Sequence, residues 1–576
     1  MHILVASLLG ATVRRPPIMR AASATSWASD ILAPQLPDVK VTTSPDLPSF
    51  SEYDAAILLV PPALATTNEA ILENQWDDDK LFEHSGVCAQ RIRQRLRRAD
   101  GDEAQTGLFL TTELPNPRGT RACLLATGKD GESHFERLVS AGDAIAAAYA
   151  DGARSICIAS VGADGTGAMA DALIAAAHAA AAPSPKASGT PAPAPEPVTL
   201  AFHGQWTLAP RTEAAASGAN ICRWLTQLPP NVLTPFAMRG ALAQIGEANG
   251  FEVDVLDRAL LEEAGCGAIL AVAAGSGDDS GVCIVRLRRP AARPPADGAS
   301  LAPLVLAGKC VTMDTGGVNV KGAVGMKGMK GDMAGAGAAL GAAVALARLA
   351  DAGAAPEHVS ARPLECWLAV TDNLISADAY KPDDVVEACD KTTIEIVHTD
   401  AEGRMALADL LALASRKARW PGATADEPPP ALVVDLATLT GTMITALSKR
   451  YAGVFASGMG APEHEQLRAI IEAGADSGER LWPFPLDADF AKGLKSDVAD
   501  TLQCTVASEA DHIFAAKFLQ RFVAKDVPWL HIDIAGPAKT DSLGHVRAKH
   551  EATGFGVRAV VWAILDQWDT LVGPER

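Results

Sequence analysis

The sequence predicts an α/β protein with a smaller N-terminal α/β domain and a larger C-terminal α/β domain built on a mixed central sheet. Three observations carry this. Short apolar or β-branched runs alternate with longer runs whose apolar residues recur at helical spacing. A stretch rich in proline and alanine, APSPKASGTPAPAPEP at 182–197, divides the chain and cannot build a core. Polar, turn-forming clusters follow several strand-like runs, at the sheet edge where α/β proteins place their sites.

Taken in order, residues 1–29 contain no acid, three arginines (Arg14, Arg15, Arg20) and several Ser and Thr. They read as a targeting or flexible segment similar to an organellar transit peptide, or as an ordinary first strand at Ile3–Val5 with a solvated loop. Residues 30–205 form the N-terminal α/β domain, with strands at Ala55–Val60 and Ser155–Ala159, a helix over Phe135–Ala150, and the loop 182–197. A strand at Val198–Phe202 precedes a connecting helix within 206–230, ended by Pro229-Pro230. From 231 to 576 the alternation resumes, with strands at Leu304–Ala307, Cys366–Val370, Ile394–Val397, Leu432–Asp435 and Leu530–Ile534.

The 576 residues are too many for one ordinary core, and 48% hydrophobic content supplies ample burial. A formal charge of -19 disfavours nucleic acid or an anionic membrane as a bulk partner. Ten cysteines, from Cys88 to Cys504, show no CxxC pair, which suits a reducing compartment. No run of 18 apolar residues lacks charges or turn formers as a membrane span requires.

Chemistry gathers in two loops. TTIEIVHTDAEGRMALADLLALAS (392–415) places Thr399, Asp400, Glu402 and Arg404 between a strand-like run and a helical one. The plain alternative is a helix cap by Thr399 or Asp400, completed by Glu402. GKCVTMDTGGVNVK (308–321), followed by MKGMKGDM (326–333), carries Lys309, Cys310, Asp314, Lys321 and Asp332. Cys310 stands inside this candidate site. Four carboxylates on one sheet edge repel one another unless cations join them. A pair of divalent metals about 3.5–4 Å apart would resolve this and suit a hydrolytic displacement. Oxygen-rich ligation fits Mn²⁺ or Mg²⁺, with Zn²⁺ also open. An ordinary ion-pair network with the neighbouring lysines is the alternative. The sequence holds no HExxH, GxSxG or GxxxxGK[ST].

HTDAEGRM resembles the NTDAEGRL hallmark of the leucyl aminopeptidase family (M17, cytosol aminopeptidase), and GKCVTMDTGGVNVK with MKGMKGDM resembles its other metal-binding segment. LTQLPPNVLTP, KPDDVV, DLATLTG, KSDVAD, WLHIDIAGPA and ATGFGVR look like further landmarks in the expected order, covering roughly 210–571. Residues 231–576 are then expected to be a metallopeptidase catalytic domain. The resemblance implies two divalent metals per subunit, Mn²⁺ or Zn²⁺ with Mg²⁺ as a third candidate. By its implication Lys309 is a neutral-amine ligand, Asp314 a bridging carboxylate, Asp332 a further ligand of the lysine-bound metal, Asp400 a ligand of the second metal, and Glu402 a second bridge. Lys321 would stabilise the oxyanion, and Arg404 would hold a bicarbonate that relays a proton.

The implied activity is release of N-terminal residues, apolar ones such as leucine first, from peptide substrates by a cytoplasmic homohexamer. An organellar address through 1–29, mitochondrial for example, is the alternative. A Cys-Gly-type dipeptidase and a non-enzymatic scaffold or DNA-binding assembly are the competing functions. Cys310, Met313, His398 and Met405 depart from the family pattern beside the expected ligands. Lys327 and Lys330 crowd the loop that holds Lys321.

Overall fold

The computed structural model describes residues 32, 34–46, 48–60, 107–114, 116–127, 131–150, 152–160, 167–185, 196–277, 280–295, 301–423, 427–457, 463–505, 507, 509–539, 543–546 and 551–573. Residues 1–29 and the centre of the Pro/Ala-rich loop lie outside them.

In chain order the strands are β1 (Val39–Ser44), β2 (Ala55–Val60), β3 (Gly107–Glu113), β4 (Arg121–Ala126), β5 (Ser155–Ser160), β6 (Val198–His203), β7 (Glu252–Asp257), β8 (Cys283–Arg289), β9 (Leu304–Asp314), β10 (Leu364–Asn373), β11 (Val385–Glu387), β12 (Thr393–Glu395), β13 (Leu432–Ala437), β14 (Ala452–Ser457), β15 (Leu481–Pro483), β16 (Thr501–Leu502) and β17 (Trp529–Asp533). The helices needed below are α1 (His134–Tyr149), α2 (Gly167–Ala181), α3 (Pro210–Gln227), α4 (Ala334–Asp351), α5 (Glu402–Ala414), α6 (Asp511–Gln520) and α7 (Val557–Asp566).

Strands β1–β6 form one sheet in the order β1-β6-β5-β2-β4-β3, and an eight-stranded sheet runs β15-β14-β17-β13-β9-β10-β8-β7. In the larger sheet β17, β13, β9 and β10 are mutually parallel neighbours, while β7, β8 and the β14–β17 pair are antiparallel. The sheet is therefore mixed, and its parallel centre points four strand ends to one edge. Strand β9 continues seven residues beyond the predicted Leu304–Ala307, because Gly308 to Val311 keep pairing with β10 despite the polar Lys309.

Helix α4 covers one face of this sheet. The stretch Met329–Asp351 is long and apolar enough by composition to cross a membrane, and 94% of its apolar window is buried inside the protein. The stretch also holds Lys330, Asp332, Arg348, Asp351 and several glycines, so it is not a run free of charges and turn formers. Its alanines and glycines answer to close packing: a Cβ at Gly341 would lie 2.4 Å from the Gly218 carbonyl oxygen of α3, and one at Gly335 would lie 2.2 Å from Leu436 O on β13. Helix α5 lies on the opposite face, with Met405, Leu407, Leu410 and Leu411 in a separate core layer.

A buried ion pair joins the two sheets' helices. Arg558 of α7 donates to Asp171 of α2 at 2.5 Å, Thr212 of α3 donates to the same carboxylate at 2.5 Å, and His134 of α1 lies 2.7 Å from it.

Candidate active site

The parallel centre of the large sheet ends at Asp314 (β9), Asn373 (β10), Ala437 (β13) and Asp533 (β17), so these strand ends share one edge. The loop 315–332 leaves β9 there, and the turn 396–401 between β12 and α5 folds onto it. Side-chain-to-backbone bonds fix the meeting. Thr399 Oγ1 donates to Gly316 O at 2.7 Å and accepts from Asn319 N at 2.9 Å, while Asn319 Oδ1 accepts from Thr399 N at 2.9 Å. Thr399 thus clamps the two loops together and does not cap α5, whose N-cap is Ala401 with no side-chain cap bond. Glu402 completes no capping box either; its carboxylate is committed elsewhere.

All seven expected side chains lie at this edge. Oxygens of Asp314, Asp400 and Glu402 come within 4.8 Å of one another. Lys309 Nζ lies 2.8 Å from Asp332 Oδ2, 2.8 Å from Glu402 Oε1 and 3.0 Å from Thr438 O. Lys321 Nζ bridges Asp314 (2.8 Å) and Asp400 (2.5 Å). Lys330 is turned to Gln227 O (2.9 Å) and Glu551, and Lys327 is exposed, so Lys321 is the lysine of its loop that meets the carboxylates. His398 is exposed, and its Nδ1 accepts from Asp400 N.

Three unforeseen residues support the carboxylates. Asn373 Nδ2 donates to Asp314 Oδ1 at 2.9 Å, Thr438 Oγ1 donates to Asp332 Oδ1 at 2.8 Å, and Gly316 N donates to Asp314 Oδ1. Thr438 lies within the DLATLTG landmark; Asn373 carries no local signal. Cys310 does not enter the site. It is fully buried, and burial pushes its thiol well above the usual range. Successive strand residues face opposite sides, so Lys309 turns toward α5 while Cys310 joins the α4 core.

The electrostatics follow from burial. Burial alone would depress Lys309, but Asp332, Glu402 and Asp314 outweigh it and hold the ammonium above the ordinary lysine range. Burial raises Asp314 and Asp332, reinforced by neighbouring acids. Asp400 is pushed up to about 6 by burial and Asp314. Glu402 goes the other way, because Lys309 and Lys321 overcome its burial. As an arrangement of protein groups alone, the site is the lysine–carboxylate network named above as the alternative to a metal site.

Two observations test whether metals fit. Glu402 Oε2 is buried with no hydrogen-bond partner among the described residues, an arrangement that costs free energy unless something binds there. A Cβ at Gly403 would lie 2.6 Å from Lys309 Nζ, so the helix start is kept bare where it faces the amine. A donor set of four carboxylates and one amine suits hard divalent ions.

The bicarbonate implied for Arg404 fits less well. Arg404 is 2% exposed, and its Nη2 donates to both oxygens of Asp511, at 2.8 and 2.7 Å. Asp511 was not foreseen.

A family model described as the cytosol aminopeptidase family, catalytic domain, matches residues 220–561. A probable cytosol aminopeptidase of Roseiflexus castenholzii is 36% identical over 356 residues, 62% of this chain and 66% of the relative, so the match spans just under two thirds of that protein's length. The structure of a tomato leucine aminopeptidase mutant superimposes with a TM-score of 0.74 at 26% identity, covering 92% of this chain and 97% of the other. The bottromycin maturation enzyme BotP in complex with Mn gives 0.69 at 27% identity, covering 89% and 99%. With its fold, its two motif-bearing loops and these matches, the chain belongs to the cytosol aminopeptidase family.

Proposed function

We propose that this protein is a metal-dependent aminopeptidase that hydrolyses the N-terminal peptide bond of peptides, apolar first residues such as leucine foremost. The observation that carries the reading is the convergence of Asp314, Asp400 and Glu402 within 4.8 Å, flanked by Asp332 and two lysines. Lys309, Asp314, Asp332, Asp400 and Glu402 would hold two divalent ions. BotP's Mn complex supports manganese, and zinc is the other candidate. When bound, such ions supply Lewis acidity toward the scissile carbonyl and toward the attacking water.

The chain's own groups do the rest. Asp332, Glu402 and Asp314 hold Lys309 as an ammonium; with divalent ions held by these carboxylates, its neutral form would be favoured and its lone pair would be free to ligate. Lys321 would then be released from Asp314 and Asp400 to donate to the developing oxyanion. Arg404 stands on the first turn of α5, two residues from Glu402. The free α-amine of a substrate, taken up at the acidic edge, confines cleavage to the first residue. A homohexamer acting in the cytoplasm is part of the same reading; the relatives' name, cytosol aminopeptidase, supports the cytoplasmic address. So is the division into domains 30–205 and 231–576 joined through 206–230, supported by the separation of the six-stranded sheet β1–β6 from the eight-stranded sheet.

The test is an assay of Mn²⁺-loaded protein on matched peptides with free and acetylated N-termini. Cleavage of the free peptide alone, releasing one residue at a time, is expected. Equal cleavage of both, or release of dipeptides, would overturn the reading. Activity confined to Cys-Gly would favour the narrow dipeptidase.

A further inference from the structure

A guanidinium offers two edges on which a planar oxyanion can sit with two parallel hydrogen bonds, because the third side carries Cδ. Both edges include Nη2. In Arg404 that nitrogen already meets both Asp511 oxygens, at 2.8 and 2.7 Å. Nη1 lies 3.4 Å from Gln503 O, and Nε has no partner among the described residues. A bicarbonate would have to share Nη2 with a carboxylate already there, and the two anions would repel.

Asp511 is not a surface acid that happens to reach inward. It opens α6, and the preceding Ala510 adopts a left-handed φ of 53°, a conformation that alanine resists. His512 N donates to Thr442 Oγ1 at 3.0 Å, tying the helix start to the segment after β13. The strand end before it is stitched to the acidic turn: Gln503 Oε1 accepts from Val397 N and His398 N, and its Nε2 donates to Ala401 O at 3.1 Å. Both partners of the Arg404–Asp511 contact are thus anchored to the candidate active site.

We propose that Asp511 is the resident anion of Arg404, holding the position an exogenous bicarbonate would need, so that the reaction runs without bicarbonate. This rests on the aminopeptidase reading. Asp511 acts through Arg404 and is a positioning residue.

The experiment compares Mn²⁺-loaded wild type and Asp511→Ala in CO₂-depleted buffer, with bicarbonate then titrated in. Hydrolysis of leucine amide and the thermal midpoint are both followed. The wild-type rate should change by less than about twofold. Asp511→Ala should lose about tenfold in kcat with little change in KM, and recover as bicarbonate fills the vacated edge. Bicarbonate should raise the midpoint of the variant and not that of the wild type.

A wild type activated severalfold by bicarbonate, or an Asp511→Ala enzyme with full rate and no bicarbonate response, would overturn the inference. If the variant does not fold, the wild-type titration decides alone. If no peptide is cleaved, the aminopeptidase reading fails separately, and the midpoints still decide: stabilisation of the variant alone supports the inference, and equal stabilisation of the wild type overturns it.

Discussion

Replacing Gly403 with alanine adds one methyl group directly against the buried Lys309 side chain. The new Cβ would stand 2.5 Å from Lys309 Cε, 2.6 Å from Nζ and 2.9 Å from Cδ, about 1 Å inside normal contact. Lys309 cannot retreat, since it is 2% exposed and its amine is held by Asp332, Glu402 and Thr438 O at 2.8–3.0 Å. Overpacking of this kind costs about 1–3 kcal/mol. Alanine in place of glycine on a helical turn returns about 1 kcal/mol. The net change in stability is therefore small, between about 0 and 2 kcal/mol. Function is expected to respond far more, because a shift near 1 Å in a reacting constellation can remove about 100-fold in rate. Leucine amide hydrolysis under Mn²⁺, measured beside a thermal melt, reads both quantities. A Gly403→Ala enzyme with more than half the wild-type rate and an unchanged melt would refute the description of Lys309 as an immovable part of the centre.

Other outcomes follow from the same geometry. Lys321→Met should reduce kcat by about 100-fold while leaving the melting midpoint nearly unchanged, as for loss of an oxyanion donor; steady-state kinetics with KM reported separately checks it. Glu479 is buried, accepts from Gly556 N and Ala559 N, and burial pushes it up to about 7 from 4.5. A raised carboxyl favours the folded state only while protonated, so its contribution is lost as pH rises from about 4.5 to 7. Glu479→Gln should recover up to about 3 kcal/mol at pH 8 relative to pH 5, read by melts at the two values; an unchanged difference contradicts it. Asp171 behaves oppositely: burial would raise it, but Arg558 and His134 hold it below the usual carboxylate range. Its stabilisation is present above about pH 4 and disappears as acid protonates it. Asp171→Asn should cost about 3–5 kcal/mol at neutral pH and progressively less at pH 3, measured by thermal melts.

Much of this site was legible before any coordinates. The acidic loop after β9 leaves the edge expected of a parallel sheet, but the second acidic turn follows β12, which belongs to a separate three-stranded sheet, β11-β12-β16, and meets the first through Thr399. The same reasoning stopped at residues whose role depends on distant partners. Asn373 and Asp511 sit 59 and 107 positions from the side chains they contact, and no local pattern marks either. Reading neighbours as colleagues misled at Cys310, because strand pleating sends it to the opposite face from Lys309. The helix-cap alternative for Thr399 failed for a related reason: its hydroxyl found a tertiary acceptor at Gly316 O, which no sequence window contains. The apolar run of α4 likewise gained its meaning from packing, since its glycines let the helix touch α3 and β13 backbone to backbone.

The four carboxylates and Lys309 are proposed to form a two-metal hydrolytic centre. Its most direct test is metal analysis and leucine amide hydrolysis on the same samples: depleted protein, protein reconstituted with Mn²⁺ or Zn²⁺, and Glu402→Ala treated identically. The wild type should hold about two ions per chain and gain activity only on reconstitution, and the Glu402→Ala protein should be deficient in both. Full activity after complete depletion, or a Glu402→Ala enzyme with wild-type rate and metal content, would contradict it.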